Sequence, residues 1–352
     1  MFLFIVTFLL CGLPLESSKA CPDVCVCYES SGFIDCRGHG LTQVPKNIPD
    51  STWMLDLRQN NLSKLIAGSF SALWSMKILL LTNNYIEEIH SKAFEYLGFL
   101  ERLDLSNNLL SQLPHDFSIH LVSLRELKMP FNWLTSLSFE SFEHLESLEK
   151  LDLSNNQVIS IDKGAFQSLS KLRYLFLQCN RLEVVQCNSF FMLQKLEVLH
   201  LAKNNISIID VEAFSSLHSL NLLILSNNCL SHLKFKTFLN IQTLSTHLQL
   251  LGNPWICDCD LQRVFGKIMS VRHLHMDDYE NITCSNPWQL AGHSLMSVDT
   301  QLCVAETATV LVITITVLVT VIAAIVMAER NRKKNQEKNW NELDGPIDLQ
   351  EK

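Results

Sequence analysis

The chain has 352 residues, 47% of them hydrophobic and 18% charged, with 12 cysteines and a net charge of −8. That length is enough to bury a sizeable core. The two end segments are charge-balanced, so residues 21–307 carry the whole excess, 29 acidic residues against 21 basic, which excludes nucleic acid as a partner on electrostatic grounds.

Residues 1–20 open with an apolar run over 2–13 and end on small residues at Ser18 and Ala20, spaced as at a signal-peptidase site. The expectation is a cleaved signal peptide. A basic segment before the apolar run is missing, so a signal anchor is the alternative, against which the run is short for a span. Four cysteines follow within 21–50 as C-x3-C-x-C-x8-C: Cys21, Cys25, Cys27 and Cys36.

A period then dominates the chain. LDLSNN stands at 103–108 and again at 151–156, and half the distance between the two copies is a step that lands on asparagine every time: Asn60, Asn84, Asn108, Asn132, Asn156, Asn180, Asn204 and Asn228. Around each, leucines recur at fixed offsets, as in Leu148, Leu151, Leu153, Asn156, Val158 and Ile161. The alternation in Leu151-x-Leu153 has period two and predicts a short strand, its leucines inward and Lys150 and Asp152 outward. One such unit cannot bury its apolar face alone, whereas stacked units share a continuous core. Phenylalanine recurs at one fixed offset after the asparagine, at Phe70, Phe94, Phe142, Phe166, Phe190, Phe214 and Phe238. Ser118 breaks this row between Phe117 and Ile119, so a displaced return segment is expected there.

The motif L-x-x-L-x-L-x-x-N-x-L in eight registered copies over 51–243 resembles the extracellular leucine-rich repeat family, and the resemblance covers about residues 21–303. It implies an α/β leucine-rich repeat solenoid, curved, with short parallel strands on the concave face. It also implies that each asparagine bonds backbone groups of the neighbouring turn. The four cysteines before the repeats resemble that family's amino-terminal cap. Those of 244–303, Cys257, Cys259, Cys284 and Cys303, opened by NPWICDC, resemble its carboxy-terminal cap. Four cysteines allow three pairings; the resemblance implies Cys21–Cys27 with Cys25–Cys36, and Cys257–Cys284 with Cys259–Cys303. Zinc is the competing reading of such clusters. Cys179, Cys187 and Cys229 are left over, expected as free thiols, with a Cys179–Cys187 link or a bond between chains as alternatives.

Three N-glycosylation sequons start at Asn61, Asn205 and Asn281. Asn61 and Asn205 each follow a ladder asparagine, which predicts one shared, exposed edge. No phosphate-cradling glycine loop or nucleophile elbow is present, and HLHMDD at 273–278 is read as a solvated surface run rather than a metal site. The expectation is a non-enzyme with no cofactor and no small-molecule substrate.

After a linker at 304–307, residues 308–328 carry no charge, about 30 Å of helix, the thickness of a bilayer core. Arg330, Arg332, Lys333 and Lys334 follow, which places 329–352 in the cytoplasm as a short tail and makes the chain a type I plasma-membrane protein. Contact with anionic lipid or an acidic channel surface is the alternative role of that basic cluster. The tail has no serine, threonine, tyrosine or cysteine, so it offers no hydroxyl to phosphorylate and no thiol to acylate.

Two surfaces are candidates for function. Outward strand positions are charged in repeats three to five (Arg102, Asp104, Glu126, Lys128, Lys150, Asp152) and largely apolar in repeats six to eight: Tyr174, Phe176, Val198, His200, Leu222 and Ile224, with Leu251 beyond. Such a patch points to a protein partner. In the span, Thr309, Thr316, Thr320 and Ala323 share one face, a seam suited to another membrane helix. The architecture is similar to adhesion and recognition receptors, and to potassium-channel gamma auxiliary subunits, which have fewer repeats. The favoured expectation is a receptor that binds an extracellular protein without signalling through its own tail. The alternative is an auxiliary subunit regulating a channel or receptor through its span and ectodomain.

Overall fold

The computed structural model describes residues 21–28, 30–298 and 300–343. Residues 1–20, where a signal peptide is expected and where Cys11 falls, and residues 344–352 at the other end lie outside the described residues. Two compact units divide the chain, one up to Met296 and one from Ser297 onward.

In the first unit, twelve strands among the described residues form one sheet. In chain order they are β1 (Val26–Tyr28), β2 (Phe33–Asp35), β3 (Met54–Asp56), β4 (Ile78–Leu80), β5 (Arg102–Asp104), β6 (Glu126–Lys128), β7 (Lys150–Asp152), β8 (Tyr174–Phe176), β9 (Val198–His200), β10 (Leu222–Ile224), β11 (Thr246–Gln249) and β12 (Leu274–Met276). β1 and β2 pair antiparallel; every later pair is parallel. From β3 to β10 each strand pairs with the next exactly one period on, so Leu55, Leu79, Leu103, Leu127, Leu151, Leu175, Leu199 and Leu223 stack in one fully buried row. Each such side chain contributes roughly 1.5–3 kcal/mol on burial. The chain is therefore a parallel-strand solenoid, as its period requires.

The asparagine ladder shows why that residue type recurs. Asn156 Oδ1 accepts from the Leu134 amide at 3.1 Å, while Nδ2 donates to the Met129 and Leu153 carbonyls at 2.9 and 3.1 Å. One buried amide thus satisfies three backbone groups of a tight turn that cannot bond each other. The residue just before each ladder asparagine sits at positive φ, from Gln59 at 58° to Asn227 at 55°. Asparagine fills that position in four turns, as a residue that tolerates left-handed backbone does; Phe131, Cys179 and Lys203 occupy it at a conformational cost.

The ladder continues beyond its eighth member. Asn253 is buried and repeats the pattern, accepting from Leu230 N and donating to the Leu225 and Leu250 carbonyls. One residue is inserted in the return segment after Asn228, so a strict period lands on Gly252 and misses Asn253 by one place. The solenoid runs one turn past residue 243, into the segment read as cap. The phenylalanine row also holds where Ser118 interrupts its spacing. Phe117 fills the gap, 1% exposed, meeting Phe94 edge-on at 86°, whereas Phe70 and Phe94 stack.

Both ends of the row are covered. The β1–β2 hairpin carries disulfides Cys21–Cys27 and Cys25–Cys36. At the other end α2 (Cys259–Ser270) follows a short helix α1 (Phe235–Leu239). Asp258 caps α2, accepting from Leu261 N at 2.7 Å, and the helix buries Leu261, Phe265 and Ile268, with Trp255 edge-on to Phe265. Cys257 and Cys284 are joined there, and Cys259 and Cys303 are each disulfide-bonded.

Among its described residues, the second unit consists mainly of one long helix, α3 (Thr300–Leu343). It is long and apolar enough to cross a membrane, with mean hydropathy 3.0 in its apolar part. The helix starts before residue 308 and runs well past 328, so the expected linker and the first part of the tail are helical.

Candidate partner-binding surface

Strand register assembles the apolar outward residues into two rows. Tyr174, Val198 and Leu222 are direct neighbours, continued by His247 and His275; Phe176, His200 and Ile224 form the second row, continued by Gln249. The structure thus brings all six predicted residues together. None is fully exposed: each is half-buried against its neighbours, as expected of a close-set row. Phe176 meets His200 edge-on at 6.3 Å, and Lys150 Nζ lies 5.8 Å from the Phe176 ring centre. Burial pushes the His200 imidazole below its ordinary pKa; Asp152 opposes this and Lys203 adds to it.

The ninth turn enlarges the surface. His247 and Gln249 take the outward places that follow Leu222 and Ile224, and Leu251 falls two residues before Asn253, outside both rows. Sequence reasoning missed the two polar residues because the inserted residue hid their register. The signal was available: Asn253 closes LQLLGN with the same inward leucines as earlier turns. His247 Nδ1 lies 2.7 Å from Asp277 Oδ1, and its ring is 5.2 Å from that of His275. Asp278 Oδ2 accepts from the Leu250 and Leu251 amides at 2.8 and 2.7 Å. HLHMDD therefore edges and ties down the ninth turn.

Beside the apolar rows the charged repeats neutralise themselves. Arg102, Lys128 and Lys150 surround Glu126 at 3.3, 3.3 and 3.2 Å. Burial alone would raise the Glu126 carboxyl; the three cations outweigh it and hold its pKa below the usual carboxylate value. One column further out, Lys77–Glu101, Arg125–Glu149 and Arg173–Glu197 pair at 3.0, 3.3 and 2.8 Å. Three cations thus share one carboxylate, and Asp104 and Asp152, which accept from the Ser106 and Ser154 amides, balance the count of charge on this half of the face.

The other predicted residues are placed as follows. Asn61, Asn205 and Asn281 are exposed, and Asn61 and Asn205 occupy the same position in their turns. Cys179, Cys187 and Cys229 are free. In α3 the Thr316 and Thr320 hydroxyls donate to the Ile313 and Val317 carbonyls, each at 2.8 Å. These two threonines spend their hydroxyls on their own helix, which weakens the seam as a means of recruiting another one. Thr309 and Ala323 lie on the same helix, and Ala323 is exposed.

Comparison with known proteins agrees with this architecture. The family model described as "Leucine rich repeat" matches residues 74–134, 123–182, 172–230 and 194–254, together just over half of the chain. The chain belongs to the leucine-rich repeat family. Among relatives with this repeat, mouse chondroadherin-like protein is 39% identical over 84 residues, 24% of this chain and 11% of that protein. Human reticulon-4 receptor-like 2 is 33% identical over 95 residues, 27% of this chain and 22% of the relative. Mouse leucine-rich repeat-containing protein 3 is 38% identical over 85 residues, 24% and 33% of the two chains. The chain thus spans a third or less of the relatives it matches. Human 5T4 (trophoblast glycoprotein) superposes with a TM-score of 0.59 at 24% identity, over 81% of this chain and 99% of that one. A chain from the octameric complex of latrophilin 3, Unc5D and FLRT2 superposes at 0.56 and 24% identity, over 79% and 98%. At that identity the likeness shows the leucine-rich repeat fold.

Proposed function

We propose that this chain is a cell-surface recognition or adhesion receptor that binds an extracellular protein through the concave face of turns six to nine. Its repeats lie outside the cell, α3 spans the membrane, and the short tail carries no signal of its own. The observation that carries the reading is the pair of in-register, largely apolar rows beside a charge-balanced field. Relatives and fold neighbours that include receptors, and a leucine-rich repeat chain held in a complex, support it. Binding there is non-catalytic and needs no cofactor. The cap disulfides and the sequons at Asn61, Asn205 and Asn281 fit an extracellular setting.

Capture of partners from native membranes with the full chain tests the reading. Phe176→Glu with Ile224→Glu is expected to abolish capture while the protein still reaches the surface, since outward strand positions do not enter the core. Leu175→Glu, at a fully buried site, is the control that is expected not to fold. Undiminished capture by the double variant would refute the concave site.

A further inference from the structure

Apolar exposure is not confined to the concave face. Where the strands of repeats two to four run out into the loop edge, four large side chains stand in water: Tyr85 58% exposed, Leu109 41%, Phe131 57% and Trp133 56%. They are contiguous. Leu109 N donates to Ile86 O and Trp133 N to Leu110 O, so Tyr85, Leu109 and Trp133 hold the same place in three directly bonded turns. Phe131 stands two residues before Trp133, and its neighbour across the turn is Asn107, whose amide donates to Pro130 O. Aromatic side chains carry roughly 150–250 Å², so this stripe presents on the order of 400 Å² of apolar surface.

Three observations say what covers it. Phe131 is held at φ 56°, where four equivalent turns use asparagine; a bulky residue is strained there, and nothing in the core needs its ring. From the residue before the ladder asparagine to the fourth after it, repeats three to five carry no charge, only amides, hydroxyls and apolar groups, while repeat two carries Glu87 and Glu88, the latter paired with Lys64. Charge depletion around exposed tryptophan and tyrosine marks the centre of a protein interface, and ~400 Å² is about half of one partner's share in an interface of standard size. Finally, the same edge position holds a sequon at Asn61, one turn before Tyr85, and at Asn205, three turns after Trp133. Carbohydrate at both would bracket the stripe and leave it clear.

We infer that this edge is a second docking surface, separate from the concave rows, for an extracellular protein partner with an uncharged, apolar face. Soluble diazirine footprinting of the full chain tests this, comparing cell membranes with the same chain purified in detergent. Peptides carrying Phe131 and Trp133 are expected to label severalfold less in membranes. Trp74 and Phe99, exposed elsewhere on the turns, should label alike in both preparations. Glycosidase should leave the protection in place, and Leu109→Glu should remove it without changing labelling at Phe176. Equal labelling in the two preparations would overturn the inference. So would protection lost with the sugars, which would make the chain's own glycan the cover, or photo-crosslinks from this edge that reach only a second copy of the chain.

Discussion

At the residue scale, two kinds of asparagine serve the turns by different physics. The ladder asparagines supply a three-way bonding group at a buried corner. Asn156→Ala would leave the Leu134 amide unpaired, at ~1–3 kcal/mol, while the Met129 and Leu153 carbonyls would each keep one bond, from Asn132 and Asn180. The expected loss is about 1–3 kcal/mol in urea unfolding of the disulfide-intact chain. Gln157→Ala next to it should change stability by less than about 0.5 kcal/mol; equal losses would mean that the ladder bonds are not what holds the turn. The preceding asparagines serve because they tolerate positive φ. Cys179 takes that place at 57°, so Cys179→Asn should raise stability by about 1 kcal/mol and remove a free thiol. An unchanged or lower melting temperature would contradict the strain argument. The buried set was legible because it recurs at one constant interval. The second set was not, since its chemistry is written in backbone conformation and four other residue types, Gln59, Phe131, Cys179 and Lys203, stand in for asparagine.

At the scale of strands and turns, registry converts sequence spacing into surface. The six outward residues, five of them apolar, could be read as rows because strands one period apart align without slippage through eight turns. The ninth turn was hidden by one inserted residue, and Phe117 by the return segment's freedom to reach its pocket from a neighbouring position. Glu126 shows what the charged strands do. Glu126→Gln would leave Arg102, Lys128 and Lys150 mutually repelling, with an expected cost of about 1 kcal/mol or less because these groups are partly exposed. That cost should shrink as salt is added, and a salt-independent loss would show packing rather than charge. His200 gives the strand face a pH dependence. Its folded pKa is depressed by burial, so the unfolded chain takes up the proton first as pH falls. The stability it contributes is full above the unfolded value of about 6.5 and is lost as pH drops through it toward the folded pKa. The difference in urea midpoint between wild type and His200→Gln should therefore change below about pH 6.5 and stay constant above it; a difference flat across that value would contradict the burial assignment.

At the scale of the whole molecule, the proposed receptor divides recognition and anchorage between a capped solenoid and an apolar helix. The sequence announces both because each rests on repetition or on an unbroken run, and such patterns survive without knowledge of contacts. It announces the binding surface less fully, since a docking face depends on which outward residues neighbours leave uncovered. The central claim is that the concave rows, rather than the span, choose the partner. It is tested most directly by one recruitment assay on two full-length variants at matched surface levels. One carries Phe176→Glu with Ile224→Glu; in the other a polyleucine helix replaces residues 308–328, which keeps the length and removes the threonine seam. The prediction is that the first loses the partner and the second retains it. Retention by the first with loss by the second would contradict the receptor reading and leave the chain as an auxiliary subunit that acts through its membrane helix.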